Sequence, residues 1–285
     1  MSTTTLVREN SKKRVNSRRG AAQRLILALY AGLVLLFICL PVAIVIPMSF
    51  SDSSTLEFPP PGYSLRWYYA FFQDPRWVEA LRNSIWVATA SSLIALILGS
   101  IAAYGLVRGS FRGRSFLELN FAAPMVIPHV ITGVALYIFF ARIGMLGTMP
   151  GLIVAHSVLA VPYVVLVVST GLSTLDVRIE QVAYTLGATR ATVLWRVVAP
   201  NLIPNLFAAW LFAFMISFDE ITVTVFLAGT NDTIPKRMFT QLLERIDPTI
   251  TAVATILIAI SILVAIAIAG LMRRANANAV RSSGG

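Results

Sequence analysis

Residues 176–200 read DVRIEQVAYTLGATRATVLWRVVAP, the longest polar interruption between hydrophobic runs that still carries a helical pattern. Ile179, Val182, Ala183 and Leu186 recur at i, i+3, i+4 and i+7, one apolar stripe of a helix. Asp176 can cap its start, because a carboxylate accepts the unpaired N–H groups of a first turn. Gly187 is expected to end it, since glycine enters the left-handed turn without a steric penalty. Thr189 can cap a second helix, on which Val193, Leu194, Val197 and Val198 share a face, and Pro200 is expected to close it. Two short amphipathic helices about a glycine bend make a compact knob. Periodicity alone also allows a membrane-surface loop packed under its own bundle.

On both sides of the knob the chain is strongly apolar. Of 285 residues, 57% are hydrophobic and 13% charged, where a soluble domain carries about a quarter. Mean hydropathy is +0.77. The length accommodates six membrane helices at about 20 residues each, so the expected fold is an all-α integral membrane protein with six transmembrane helices. The spans are placed at 25–48, 83–107, 116–140, 150–172, 201–228 and 249–271. Pro124, Pro128 and Gly133 should kink the third. A basic tail, 1–23, is too polar to bury a core and is expected to be disordered. It resembles a signal peptide, but the following run is too long for a signal core and is read as an uncleaved anchor. The expected organisation is a first transmembrane helix at 24–50, a loop at 51–80, a five-helix core at 81–272 that includes the knob, and a tail at 273–285.

Within 51–80, Pro59, Pro60, Pro61 and Gly62 exclude helix. Leu65, Trp67, Tyr68, Tyr69, Phe71 and Phe72 predict a short helix after them. Tyr and Trp favour the membrane–water interface, where ring and polar tip each find their solvent; a sugar- or nucleotide-stacking surface is the alternative.

The net charge of +10 does not point to nucleic acid, because the basic residues lie in tails and loops. Lys and Arg resist translocation. With the N-terminus in the cytoplasm, 16 of the 23 fall inside: those from Arg8 to Arg24, Arg108, Arg112, Arg114, Arg178, Arg190, Arg196 and three at the end. The seven outside are matched by seven acids. Both termini and the knob are therefore expected on the cytoplasmic side.

Asp219 and Glu220 stand inside the fifth span. An ionised carboxylate there costs several kcal/mol and calls for a cavity, a cation or a proton. Ser217, Glu220 and Thr224 are spaced three and four apart, a polar stripe on an otherwise apolar helix, and Asp219 pairs with Thr222 on a neighbouring face. Asp219, Glu220, Ser217 and Thr224 are accordingly read as lining a solute pathway, with Glu220 foremost; a structural ion pair to another helix and a proton relay are the alternatives. His129 and His156 are read as hydrogen-bonded interior residues. Glu118 is expected to pair with Arg112 or Arg114. Cys39 is the one cysteine, so no cysteine-based metal cluster is possible, and no metal or cofactor is expected. Phosphate-loop, nucleophile-elbow and zinc-protease patterns do not occur, so the chain is expected to be no enzyme.

The knob resembles the cytoplasmic coupling loop of permease subunits of binding-protein-dependent ABC importers. That family's loop carries Glu-Ala-Ala, then Gly-Ala, then a proline. Gln181, Val182, Ala183, Gly187, Ala188 and Pro200 stand at those places, with Glu180 one position early. The resemblance runs from the second span to the sixth, and SFDEITVTVF and DPTITAVATILI are most similar to the second permease subunit of spermidine/putrescine importers. It implies a type I importer transmembrane domain in the cell inner membrane. Its implied partners are two ATP-binding cassette subunits, a second, paralogous permease subunit, an extracytoplasmic solute-binding protein and membrane lipid. Glu180, Gln181, Ala183, Gly187, Ala188 and Arg190 are then the ATPase-coupling residues. The implied solute is a polyamine; another small solute, or an ion-coupled secondary transporter relaying through Asp219 and Glu220, stands as the alternative. A bare structural anchor leaves the buried acids without a purpose.

Overall fold

The computed structural model describes residues 3–244 and 247–263. Apart from a single bridge between Ser51 and Tyr63, the regular elements among them are helices. The described residues fall into two units, 3–71 with 247–263, and 72–244.

In the first unit, α1 (Thr3–Ser49) contains the first span, Gln23–Ser49. The helix starts at Thr3 and not after a disordered tail. Residues 3–19 hold no proline or glycine, and a helix already nucleated by an apolar span propagates at one hydrogen bond per residue. The loop that follows folds back on itself. Asp52 N–H donates to Gly62 O (3.2 Å) and Arg66 Nη1 to Asp52 O (2.8 Å). The predicted aromatic helix is α2 (Arg66–Gln73), with Trp67 and Phe71 buried and Tyr69 and Phe72 exposed.

The second unit is built on α3 (Pro75–Arg108), opened by Asp74 as its cap. There follow α4 (Arg114–Val126), α5 (His129–Ile143), α6 (Met149–Thr174), α7 (Val177–Thr185), α8 (Arg190–Val193), α9 (Ala199–Phe218), α10 (Thr222–Leu227) and α11 (Ile234–Glu244). The kink expected in the third span is a 103° turn between α4 and α5. Pro128 pushes Ile127 out of the helical region, to φ −70°, ψ 129°. Arg114 pairs with Glu118 at 2.8 Å.

The core lies where α3, α6 and α9 pack along one another. Ala95, Ala103, Ala160, Val164, Val168, Leu172, Ala209 and Ala213 are buried there. Small residues set the distance of approach, as is usual where lipid supplies no hydrophobic drive between helices. A side chain at Gly99 would meet Val164 Cγ1 at 2.7 Å. A second cluster, with Val87, Phe140, Leu152, Leu159, Val223 and Leu227, joins α3 and α6 to α5 and α10.

Among the described residues, four helices are long and apolar enough to cross a membrane, and the bent pair α4–α5 makes a fifth crossing if counted as one span. The sixth predicted span is described as Thr249–Leu263 (α12) in the first unit; the remainder of 249–271 lies outside the described residues.

Two expectations are corrected by this fold. Pro200 does not close the knob. Leu194–Val198 forms a π turn, with Ala199 N–H reaching back five residues to Leu194 O, and the helix runs on to Phe218. Widening one turn makes room for a proline that cannot donate. The fifth span is not continuous across 201–228 either. It ends at Phe218 and resumes at Thr222, so the two acids sit at a break.

Candidate functional site

Two places gather the residues singled out above: the knob, and the break between α9 and α10.

At the knob, the local signals fold as their chemistry dictates. Asp176 accepts from Arg178 N–H (2.9 Å) and Thr189 from Thr192 N–H (3.3 Å). Gly187 has φ +84°, and its neighbour Ala188 donates to Ala183 O (3.1 Å), closing the turn. The orientation of α7 is opposite to the usual amphipathic arrangement. Its buried residue is Glu180, while Val182 is 57% exposed and Leu186 83% exposed; Trp195, after the bend, is 73% exposed. Arg108 Nε donates to Glu180 Oε1 at 2.7 Å, and Tyr104 Oη donates to Oε2 at 3.0 Å. Arg108 Nη2 also donates to Leu175 O (3.0 Å). Glu180 thus fastens α7 to the end of α3. Gln181 and Arg190 are exposed, and Ala183 and Ala188 pack against the core from below. Arg108 and Tyr104 were missed in the sequence; their spacing of four residues at a span's end was the available signal.

At the break, Glu220 is buried and Asp219 exposed. Glu220 Oε1 accepts from Val223 N–H (2.8 Å), capping α10, and Oε2 lies 2.9 Å from His129 Nδ1. His129 is the first residue of α5, so both chain breaks meet here. Ser217 and Thr224 are buried against His156. Thr224 Oγ1 donates to Glu220 O (2.8 Å), which leaves its oxygen to accept from His156 Nε2 (2.9 Å). His156 Nδ1 lies 2.9 Å from Ser217 Oγ, which accepts from Ser91 Oγ (2.8 Å). Nδ1 also lies 3.1 Å from the Ser217 backbone carbonyl, so both ring nitrogens are engaged. Buried polar groups inside an apolar bundle are costly unless paired, and here His156 joins α6 to both α9 and α10, while His129 joins α5 to the break. Ser217, Glu220 and Thr224 lie near one another, on a helix that is interrupted and not on one continuous stripe; His156 is a hydrogen-bonded interior residue as expected, whereas the His129 side chain, bonded to Glu220, is 38% exposed and not interior.

On the far side of the second unit from the knob, α11 is tied to α3. Lys236 Nζ lies 2.8 Å from Asp232 Oδ1, and Arg237 reaches both Asp232 (3.4 Å) and Asp74 (3.9 Å). The hydrogen bond from the Arg76 side chain foremost, with Arg237 adding, holds the Asp74 carboxyl below its ordinary pKa against a smaller opposing effect of burial. Gly147 N–H donates to Leu227 O (3.0 Å), bringing Gly147 and Gly229 into contact.

Residues 95–281 match the family described as binding-protein-dependent transport system inner membrane component. The putrescine transport system permease protein PotI of Escherichia coli (strain K12) is 33% identical over 253 residues, covering 86% of this chain and 90% of PotI. The spermidine/putrescine transport system permease protein PotC of the same strain is 28% identical over 232 residues, 81% of this chain and 88% of PotC. Among solved structures, a bacterial ABC transporter involved in the import of the acidic polysaccharide alginate aligns with a TM-score of 0.63 at 18% identity, over 88% of this chain and 95% of that one. The MetNI methionine ABC transporter in inward facing conformations aligns at 0.55 and 17% identity, over 68% and 92%. At those identities the likeness is one of fold.

Proposed function

The chain belongs to the family of binding-protein-dependent transport system inner membrane components, and from that premise we propose that it forms the membrane pathway through which an ATP-driven importer carries a polyamine. It is a non-catalytic permease subunit of an ABC importer, a class that works with ATPase subunits and a solute-binding protein. Two ATPase subunits, a paralogous second permease and an external binding protein complete the machine in this reading, with the knob and both termini on the cytoplasmic side. The basic residues around the knob and in the tails support that orientation.

The observation that carries the solute assignment is the Asp219–Glu220 pair at a helix break inside an apolar span. Carboxylates in a low-dielectric setting favour multivalent cations. Glu220 uses one oxygen to cap α10 and the other on His129. Asp219 is the exposed acid, and it is the one that meets the solute; Glu220 holds the break open. The names of PotI and PotC, putrescine and spermidine/putrescine permeases, support the same class. Coupling runs through the knob: the ATPases grip its exposed apolar outer face, and the Glu180–Arg108 pair hands the motion to α3.

The test is ATP-dependent uptake of radiolabelled putrescine by proteoliposomes holding the assembled importer and its binding protein. The parent accumulates label, and Asp219→Asn lowers uptake several-fold while the ATPase subunits still co-purify. Equal uptake by the variant removes the cation role of Asp219, and uptake driven by a pH gradient without ATPase subunits overturns the importer reading.

A further inference from the structure

We infer that the aromatic stripe of α9 below Asp219 is the wall along which the organic cation moves toward the knob side; this rests on the polyamine reading above. Phe207, Trp210, Phe214 and Phe218 stand three and four residues apart on one flank of α9. Their ring centroids follow one another at 5.7, 6.1 and 5.8 Å. The last ring belongs to the residue before Asp219.

This stripe is not the packing face of the helix. The buried positions of α9 are Leu202, Ala209, Ala213 and Ser217, and the first three join the core with α3 and α6. Phe207 is exposed, and Trp210, Phe214 and Phe218 are half-buried. The rings therefore flank the packed face and are left partly open.

Ring faces attract ammonium groups within about 6 Å of the centroid. At the observed spacing, a cation leaving one ring is already within reach of the next. The methylene segments between its charges can lie on the same rings. From Ala199 to Phe218, α9 carries no charged residue. A file of carboxylates would hold a polycation too tightly to release it, whereas several weak sites in series let it enter and leave. One acid at the top for capture and four rings below for passage meet both needs.

The test uses the assembled importer in proteoliposomes with putrescine as probe. Fluorinated phenylalanines placed at position 214 weaken the ring quadrupole stepwise and keep the side chain close to its natural size. Uptake is expected to fall with each added fluorine, and Phe214→Leu to lose about two- to fivefold. Phe214→Tyr, which keeps the face, restores uptake. Phe212→Leu removes a ring that pairs with Tyr163 on another flank and should leave uptake unchanged. Rates that ignore fluorination, or an equal loss in Phe212→Leu, overturn the track while the parent's putrescine uptake keeps the polyamine reading. A parent that carries no polyamine overturns both.

Discussion

Arg108 and Glu180 form a largely buried ion pair of 2.7 Å that joins the last residue of α3 to the fourth of α7, across 72 residues of chain. Tyr104, one turn earlier on α3, takes the other carboxylate oxygen. The knob is thereby bolted to one of the three helices that make the core, so a push on α7 cannot be absorbed by a loose loop.

Removing one member of such a pair leaves a buried charge unmatched, a loss of about 3–5 kcal/mol. Glu180→Ala is expected to lower the thermal unfolding midpoint of the purified chain and to abolish uptake. The double change Arg108→Met, Glu180→Leu should regain most of the stability, because neither charge is then stranded. A double-mutant cycle on unfolding in detergent measures the coupling; a coupling near zero contradicts the bolt.

Gly187 sits at φ +84°, a region that L-residues enter at a cost of roughly 1–2 kcal/mol. Proline, held near −65°, cannot enter it at all. Gly187→Pro is expected to insert into the membrane normally yet to abolish uptake, while Gly187→Ala weakens it. Uptake assays beside a protease-protection assay of insertion separate the two effects. Full uptake by an inserted proline variant would show that the bend has no part in coupling.

His156 satisfies hydroxyls on two sides, Ser217 and Thr224. Taking it away leaves buried hydroxyls short of a partner, at about 1–3 kcal/mol. His156→Ala should therefore lower stability and loosen the α9–α10 break, with the KM for solute rising. His156→Gln, able to donate and accept, should recover part of both. Kinetics that stay at the parent value in His156→Ala would reduce the residue to simple packing.

Asp74 supplies a pH dependence of known sign. Its carboxyl titrates below the ordinary range because it receives hydrogen bonds from Arg76, with Arg237 nearby. The folded value lies under the unfolded one, so the contribution is fully present above the unfolded aspartate value of about 3.9. It is lost as pH falls through the lower folded value. Asp74→Asn should melt below the parent at neutral pH, and the gap should close as the pH is taken down toward 3. Thermal unfolding in detergent at several pH values follows it; a gap that widens in acid would reverse the assignment.

Much of the knob is legible in the amino-acid sequence. Asp176, Thr189 and Gly187 act on backbone groups within a few residues of themselves, and such signals need no knowledge of the rest of the chain. The spans are legible for a similar reason, since twenty apolar residues in a row can be satisfied only as helix in a bilayer. Even so, the apolar stripe of α7 misleads as to direction: Val182 and Leu186 turn outward because Glu180 has a cation waiting inside. The break at Asp219–Glu220 is hidden as well, for the stretch contains no proline or glycine and is set by Glu220 capping α10.

Segment type, the caps of the knob and the presence of acids in a span were thus determined by the sequence alone, because each rests on neighbours a turn or two away. The tertiary structure alone decided that Glu180 meets Arg108, that Glu220 meets His129, and that His156 links Ser217 to Thr224. Those partners lie many tens of residues apart along the chain. Burial leaves each polar group one choice, the partner that packing brings within hydrogen-bond reach, and packing is a property of the whole bundle.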